Sequence, residues 1–277
     1  MTIDIEVRQA DRVGTVNAEI NTNPVVSGIE QMMGLLKPMD GTSPVGSGYV
    51  GYVDVLGDQD AIGPHRGQQV FQRRFVTLVY EGLWRPLVSK FFLGLGGPNA
   101  EDEMRLTLDM LAVSPGDRVI DVGCGPGNYT RRLAAAAGDG LVIGIDASEV
   151  MVATAAKRSS GTNTAYMRAD GCALPFEDGT FDAACSVGVI HMIERPMAAL
   201  EEIVRVLAPG GRLAVATTCA KEGKPRRARA GLTTFAHGEV SGALRELGLV
   251  DIDQRGIGRG QFVSARKPEV EVMPVGG

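Results

Sequence analysis

The residues of this chain best suited to chemistry begin with one run, Asp121-x-Gly123-x-Gly125-x-Gly127. Carboxylates at Asp146 and Asp170, a hydroxyl at Ser186 and an imidazole at His191 follow it. Glycine at every second position lets the backbone take positive φ and lets a ligand approach where a Cβ would collide. A helical run starts at Tyr129, straight after the loop, and a helix N-terminus offers unpaired N–H groups and partial positive charge to an anionic or polar ligand. Asp146 closes a predicted strand, where a carboxylate can accept from both hydroxyls of a ribose in a charge-assisted, bidentate contact. The same residue would also serve as a plain helix cap, and it would suit an NAD domain equally well. His191 lies just past another predicted strand. A histidine titrating near neutrality suits a general base, whereas one packed under a loop and bonded to a carbonyl would only wall a pocket.

Two familiar glycine loops do not fit. A phosphate loop needs a Lys-Ser or Lys-Thr pair after its last glycine, and here Asn128 and Tyr129 follow. In a dinucleotide fingerprint counted from Gly123, the last glycine would fall on Asn128. The pattern instead resembles the first motif of the class I methyltransferases that use S-adenosylmethionine. That resemblance implies that Asp121 orders the loop and the methionine end of the cofactor, with Gly123, Gly125 and Gly127 making room for it.

Further segments extend the likeness. Asp170-Gly171, with Leu174-Pro175-Phe176 after it, resembles the family segment in which an acid accepts from the adenine amino group and the next backbone N–H meets a ring nitrogen. Ala147, Met151, Ser186 and Val187 complete the cofactor-binding set that the resemblance implies. Met151 would lie either against the adenine face or in the helix core. Glu177 to Asp182 and Leu207 to Leu213 continue the match in order, so that residues 113–268 are similar to the small-molecule branch that includes the ubiquinone and menaquinone C-methylating enzymes. The resemblance implies S-adenosylmethionine as cofactor, S-adenosylhomocysteine as product and a small-molecule acceptor. In this family a histidine or an aromatic often faces the substrate at the position of His191, which makes it the candidate catalytic residue. A fainter similarity, over residues 48–111, is to methyltransferases with an N-terminal zinc ribbon before a Tyr-Glu-x-x-Trp-Arg segment. Tyr80-Glu81-Gly82-Leu83-Trp84-Arg85 is present, but no cysteine precedes Cys124, so no metal site is expected. By position Tyr80, Trp84 and Arg85 would cap the cofactor, with Arg85 or Tyr80 reaching the methionine carboxylate.

The elements that must position these residues alternate regularly from Arg118. Strands are predicted at Arg118–Val122, Leu141–Asp146, Thr164–Ala169, Phe181–Val187, Arg212–Thr218, Val250–Gly256 and Phe262–Arg266. Helices are predicted at Tyr129–Ala137, Ser148–Arg158, Pro196–Leu207 and Glu239–Leu247. Strands alternating with helices give an α/β, doubly wound, Rossmann-like sheet covered on both faces, here with seven strands. The last two strands are too close for a helical crossover, so they pair antiparallel. A boundary between 98 and 114 separates an N-terminal arm and helical lid over 1–98 from a cofactor domain over 99–268, with a tail over 269–277. Within the arm a helix is expected near Val26–Leu36 and a strand near Gly48–Leu56. Two helical pieces follow over Phe71–Phe92, and a helix with Asn99 as its N-cap leads into the domain. An irregular arm of this length would pack on the domain or on a second subunit, so a homodimer is among the partners it suggests.

Composition bounds the remaining choices. With 44% apolar and 22% charged residues the chain is of ordinary globular make-up, and a net charge of −5 argues against a nucleic-acid surface. No apolar run reaches the roughly 18 residues of a membrane span, and the acidic start lacks a secretory core, which points to the cytoplasm. Four cysteines, none in a C-x-x-C pair, read as small buried hydrophobes in a reducing compartment. The basic segment between Cys219 and Ala236 is where substrate contacts would be built, or else a solvated face. A small, largely apolar acceptor is the reading favoured. The alternatives are an RNA methyltransferase and a protein that binds the cofactor without turnover. An NAD-dependent oxidoreductase is disfavoured by Asn128 and by the lack of a Tyr-x-x-x-Lys constellation.

Overall fold

The computed structural model describes residues 6–9, 12–15, 24–37, 45–47, 51–56, 100–159, 163–220, 226–227 and 232–269. Tyr80, Trp84, Arg85 and the helical pieces expected over 71–92 lie outside them, as does most of the basic segment after Cys219.

The N-terminal part supplies β1 (Glu6–Gln9), β2 (Arg12–Thr15), α1 (Pro24–Met33), β3 (Val45–Ser47) and β4 (Tyr52–Asp54). Then come α2 (Ala100–Leu111), β5 (Arg118–Val122), α3 (Asn128–Ala137), β6 (Leu141–Asp146), α4 (Glu149–Arg158), β7 (Thr164–Arg168) and β8 (Phe181–Val187). A 3-10 turn at Ile190–Met192 leads to α5 (Pro196–Val206) and β9 (Leu207–Thr218). The short pair β10 (Arg226–Arg227) and β11 (Thr233–Thr234), then α6 (Glu239–Glu246), β12 (Val250–Ile257) and β13 (Gly260–Arg266) complete the described chain.

The sheet runs β12-β13-β9-β8-β5-β6-β7-β4-β3-β1-β2. From β9 to β7 every pair is parallel, while β13 is antiparallel to both β9 and β12. The seven-stranded mixed sheet is therefore as the alternation predicted, but four arm strands extend it to eleven. An eighth strand is reasonable at that edge, because β7 would otherwise present unpaired ladder groups. Tyr52, Val53 and Asp54 pair in parallel with Tyr166, Met167 and Arg168, and the Val55 N–H donates to the Arg168 carbonyl at 3.1 Å. The arm also reaches the core. Met32 and Val53 are 0% and 3% exposed and pack with the main cluster, and the Lys37 N–H donates to the Pro175 carbonyl at 3.0 Å.

One strand starts earlier than the sequence suggested. β9 begins at Leu207 rather than Arg212, because Leu207 pairs with Phe181 before the register shifts and resumes at Ala183–Arg212. Gly210 takes φ +75°, and Pro209-Gly210-Gly211, expected to end α5, is instead carried as an irregularity inside the strand, the helix having ended at Val206. The sheet is covered by apolar residues on both faces, with Ile120, Val122, Ile143, Ile145, Leu213 and Val215 in one cluster and Val119, Val142, Ala183 and Ala214 in the other, all nearly solvent-free. All four cysteines are free thiols, Cys124 and Cys185 buried and Cys172 and Cys219 partly so. Among the described residues no helix is long and apolar enough to cross a membrane.

Candidate functional site

Strand order reverses beside β5, whose neighbours are β6 on one side and β8 on the other, and a ligand in such a sheet binds outside the carboxyl ends there. The glycine loop leaves β5 at that point. Its path is fixed by main-chain bonds, since the N–H groups of Gly123 and Cys124 both donate to the Ile145 carbonyl, at 2.7 and 2.9 Å. Gly123, Gly125 and Gly127 take φ +81°, +52° and +79°, which explains the residue type at each. They differ in what surrounds them. A Cβ on Gly123 would overlap both methyls of Val189, and one on Gly127 would crowd Tyr166 and Ala155. Among the described residues a Cβ on Gly125 would meet nothing within 4 Å, so of these three glycines it is the one that faces open space there.

Asp146 completes the loop from the next strand. Its Oδ2 accepts from the Gly125 N–H at 2.9 Å and its Oδ1 from the Ser148 N–H at 2.8 Å. Each carboxylate oxygen has a second lone pair, so both can still accept from a vicinal diol. Helix capping falls to Ser148, whose hydroxyl accepts from the Met151 N–H at 3.4 Å, so α4 starts one residue later than expected. Met151 itself is only 4% exposed.

Asp121 sits beneath the loop rather than in the opening. It is 1% exposed, accepts from the Thr130 hydroxyl at 2.7 Å and lies 3.5 Å from the Cys185 thiol. Through Thr130 it ties β5 to the first turn of α3. Burial raises its carboxyl to about 6, with the nearby Asp146 charge adding to the effect. Ser186 requires a correction. Its side chain is fully buried and donates to the Val122 carbonyl at 2.9 Å, which turns the hydroxyl into the sheet and away from the cleft. Val187 next to it is partly exposed.

After β7, Asp170 and Gly171 open the crossover that passes over β5 to β8. The Asp170 carboxylate accepts from the Cys172 N–H at 2.9 Å, and a Cβ on Gly171 would sit 3.2 Å from Val122, which places the crossover against the end of β5. His191 lies in the 3-10 turn after β8, 8% exposed, its Nδ1 3.3 Å from the Thr217 hydroxyl; which of the two donates depends on the tautomer. Titration near neutrality was expected, but burial holds this ring near 4.

Asp121 and His191 make opposite contributions to stability across the same pH range. The Asp121 carboxyl is raised from 3.8 to about 6, so the stability tied to its neutral form is complete below pH 3.8 and is lost as pH rises through 6. His191 is lowered from 6.5 to about 4, so its contribution is complete above 6.5 and is lost as pH falls through 4. Each shift is worth about 3 kcal/mol, and the two slopes nearly cancel. Relative to the parent, Asp121→Asn is expected to lose stability on acidification from pH 6.5 to 4.5 and His191→Gln to gain it. Urea denaturation at the two pH values checks this. Parallel changes in the two variants would contradict it.

Arg205 and Glu202, which the sequence reading passed over, reach the same crossover from α5. A Glu and an Arg three residues apart at the border of an apolar stripe were the only trace they left in the sequence.

Comparison with known proteins agrees with this geometry. Residues 120–215 match the family described as methyltransferase domain. A demethylmenaquinone methyltransferase of Beutenbergia cavernae is 40% identical over 113 residues, 40% of this chain and 45% of that protein. A ubiquinone/menaquinone biosynthesis C-methyltransferase of Ruegeria sp. is 38% identical over 112 residues, 39% of this chain and 45% of that protein. The chain spans less than half the length of these curated relatives. Among solved structures, a SAM-dependent methyltransferase from Aquifex aeolicus has a TM-score of 0.54 at 22% identity, covering 70% of this chain and 98% of that one. A [4+2]-cyclase, SpnF, has a TM-score of 0.58 at 24% identity, covering 73% of this chain and 96% of that one. These structural likenesses establish the fold. Together with the family match over residues 120–215, they show that this part of the chain is similar to a methyltransferase domain and has the class I methyltransferase fold.

Proposed function

We propose that this chain transfers the methyl group of S-adenosylmethionine to a small, largely apolar acceptor. The observation that carries the reading is Asp146, held by the Gly125 and Ser148 amides with lone pairs left for a ribose diol. A second feature favours this cofactor over a dinucleotide. Asp146 alone would suit either, but Asp121 adds a second carboxylate directly beneath the glycine loop, which favours a sulfonium and an ammonium there and opposes a pyrophosphate. Asp170 and the Gly171 N–H would meet the purine, and Gly125 would lie against the methionine portion.

A sulfonium methyl is already activated, so the chain's task is to align nucleophile, carbon and sulfur and to keep water out. The segment after β8, Val189 to Ile193, is apolar apart from His191, and that ring is neutral at physiological pH. His191 therefore orients the acceptor, and it can accept a proton across the whole neutral range. With a true acceptor and saturating cofactor, kcat/KM is expected to show no limb that depends on His191 between pH 5.5 and 8. A limb at 6 to 7 that vanishes in His191→Ala would show a differently tuned base. A cytoplasmic setting, in which the four thiols stay reduced, fits this reading.

Calorimetry with S-adenosylhomocysteine and with NAD tests the assignment, with affinity expected only for the former. Incorporation of labelled methyl from S-adenosylmethionine into a small-molecule extract separates an enzyme from a binder. A protein that binds the cofactor yet labels neither small molecules nor RNA would be a binder.

A further inference from the structure

The crossover between β7 and β8 carries Asp170 and Gly171 but has no regular structure of its own, and its shape is set from α5. Arg205 donates through Nη2 to the Leu174 carbonyl at 2.9 Å and through Nη1 to the Phe176 carbonyl at 2.8 Å. Glu202 Oε2 accepts from the Leu174 N–H at 2.7 Å. The other Arg205 donors go to Glu202, from Nε at 2.7 Å and Nη2 at 2.9 Å, and to Asp178 from Nη1 at 2.7 Å. A guanidinium has five N–H donors, and these bonds use all of them. On its other flank the crossover is met by the arm, where the Lys37 N–H donates to the Pro175 carbonyl at 3.0 Å.

This clamp is continuous with the acid. The Cys172 N–H is bonded to the Asp170 carboxylate, the Ala173 N–H to the Asp170 carbonyl at 3.0 Å, and the Leu174 N–H to Glu202. Three successive amides thus connect Asp170 to the clamp, so a shift at Leu174 is carried to the Asp170 carboxylate. Burying Leu174 and Phe176, which are 2% and 0% exposed, would hold the segment against the core without fixing its main chain. The charged pair adds that fixation.

We propose that Arg205, with Glu202, is a positioning residue for the purine end of the cofactor site: it holds the Asp170 carboxylate and the Gly171 N–H where the amino group and a ring nitrogen of adenine would meet them. The proposal rests on the methyltransferase reading. Its test compares affinity for S-adenosylhomocysteine with affinity for S-inosylhomocysteine, in which a carbonyl replaces the amino group that Asp170 would bind.

The parent should prefer the adenosyl compound. In Arg205→Lys, where a point charge replaces the planar fork, that preference should shrink by about tenfold, the size of one hydrogen bond out of register. Glu202→Gln should act in the same direction and serves if the lysine variant does not fold. Amide exchange at residues 172–174 should speed up in either variant while the rest of the sheet stays protected. Equal weakening of both ligands, no change in either, or a parent that does not discriminate would overturn the inference and leave the methyltransferase reading standing. A parent with affinity for neither ligand would overturn that reading as well.

Discussion

Replacing Asp146 by alanine is expected to weaken binding of S-adenosylhomocysteine by about a hundredfold or more while leaving the protein folded. The size follows from what this one carboxylate does. It organises the loop through the Gly125 amide and the start of α4 through the Ser148 amide, at 2.9 and 2.8 Å, and its remaining lone pairs would face the ribose. Hydrogen bonds to a charged group are worth roughly 1.5 to 3 kcal/mol each, so losing a bidentate contact costs about 3 kcal/mol or more, which is about a hundredfold in affinity. The folded state should tolerate the change, because burial raises the carboxyl and its removal relieves that penalty. Asp146→Asn is the informative companion. It keeps an acceptor for one amide but turns a donor toward the other, so it should bind more weakly than the parent and more tightly than Asp146→Ala if the ribose contact counts. Calorimetry decides the matter. Unchanged affinity in Asp146→Ala would mean that the carboxylate serves only as a backbone brace and that the cofactor lies elsewhere.

The sheet was legible because its strands announce themselves. Arg118–Val122, Leu141–Asp146 and Phe181–Val187 are short β-rich runs between glycines and amphipathic helices, and the structure places them with the same bounds. Which face a strand residue takes was less legible. A parallel strand is buried on both sides, so alternation carries no signal, and Ser186 was assigned to a cleft from which its bond to Val122 turns it away. Of the arm strands, Tyr52–Asp54 falls within the strand expected near Gly48–Leu56, whereas β1, β2 and β3 left no trace, since three or four residues are too few to show a period. The Arg205–Glu202 clamp was missed for a related reason. On one helix an ion pair of that spacing reads as a solvated face, and only the fold brings the crossover carbonyls to it. Where His191 titrates was not legible, because a sequence reports residue type, whereas burial lowers this ring.

Gly125→Ala is expected to separate stability from binding, and a comparison with Gly123→Ala makes that separation measurable. Both residues have positive φ, which costs a non-glycine residue about 1 kcal/mol or a little more. At Gly123 the added methyl also overlaps Val189, so the loop must move and the end of β5 with it, and stability and binding should fall together. At Gly125 the methyl meets nothing within 4 Å among the described residues, so only the backbone cost remains, equivalent to a fall of roughly 2 to 4 °C in Tm for a domain of this size. Yet that empty space is where the cofactor's methionine portion would lie. Overlap with a bound ligand has no relaxed alternative on a loop pinned by Ile145 and Asp146, so affinity for S-adenosylhomocysteine should fall by about a hundredfold or more. Thermal unfolding with and without ligand gives both readings from one sample, because a ligand that still binds raises Tm by mass action. The expected signature is a nearly parental Tm without ligand and no rise with it. A Gly125→Ala protein that S-adenosylhomocysteine stabilises as well as the parent would show that the space above Gly125 is not where the ligand sits, and the placement of the methionine end would have to be abandoned.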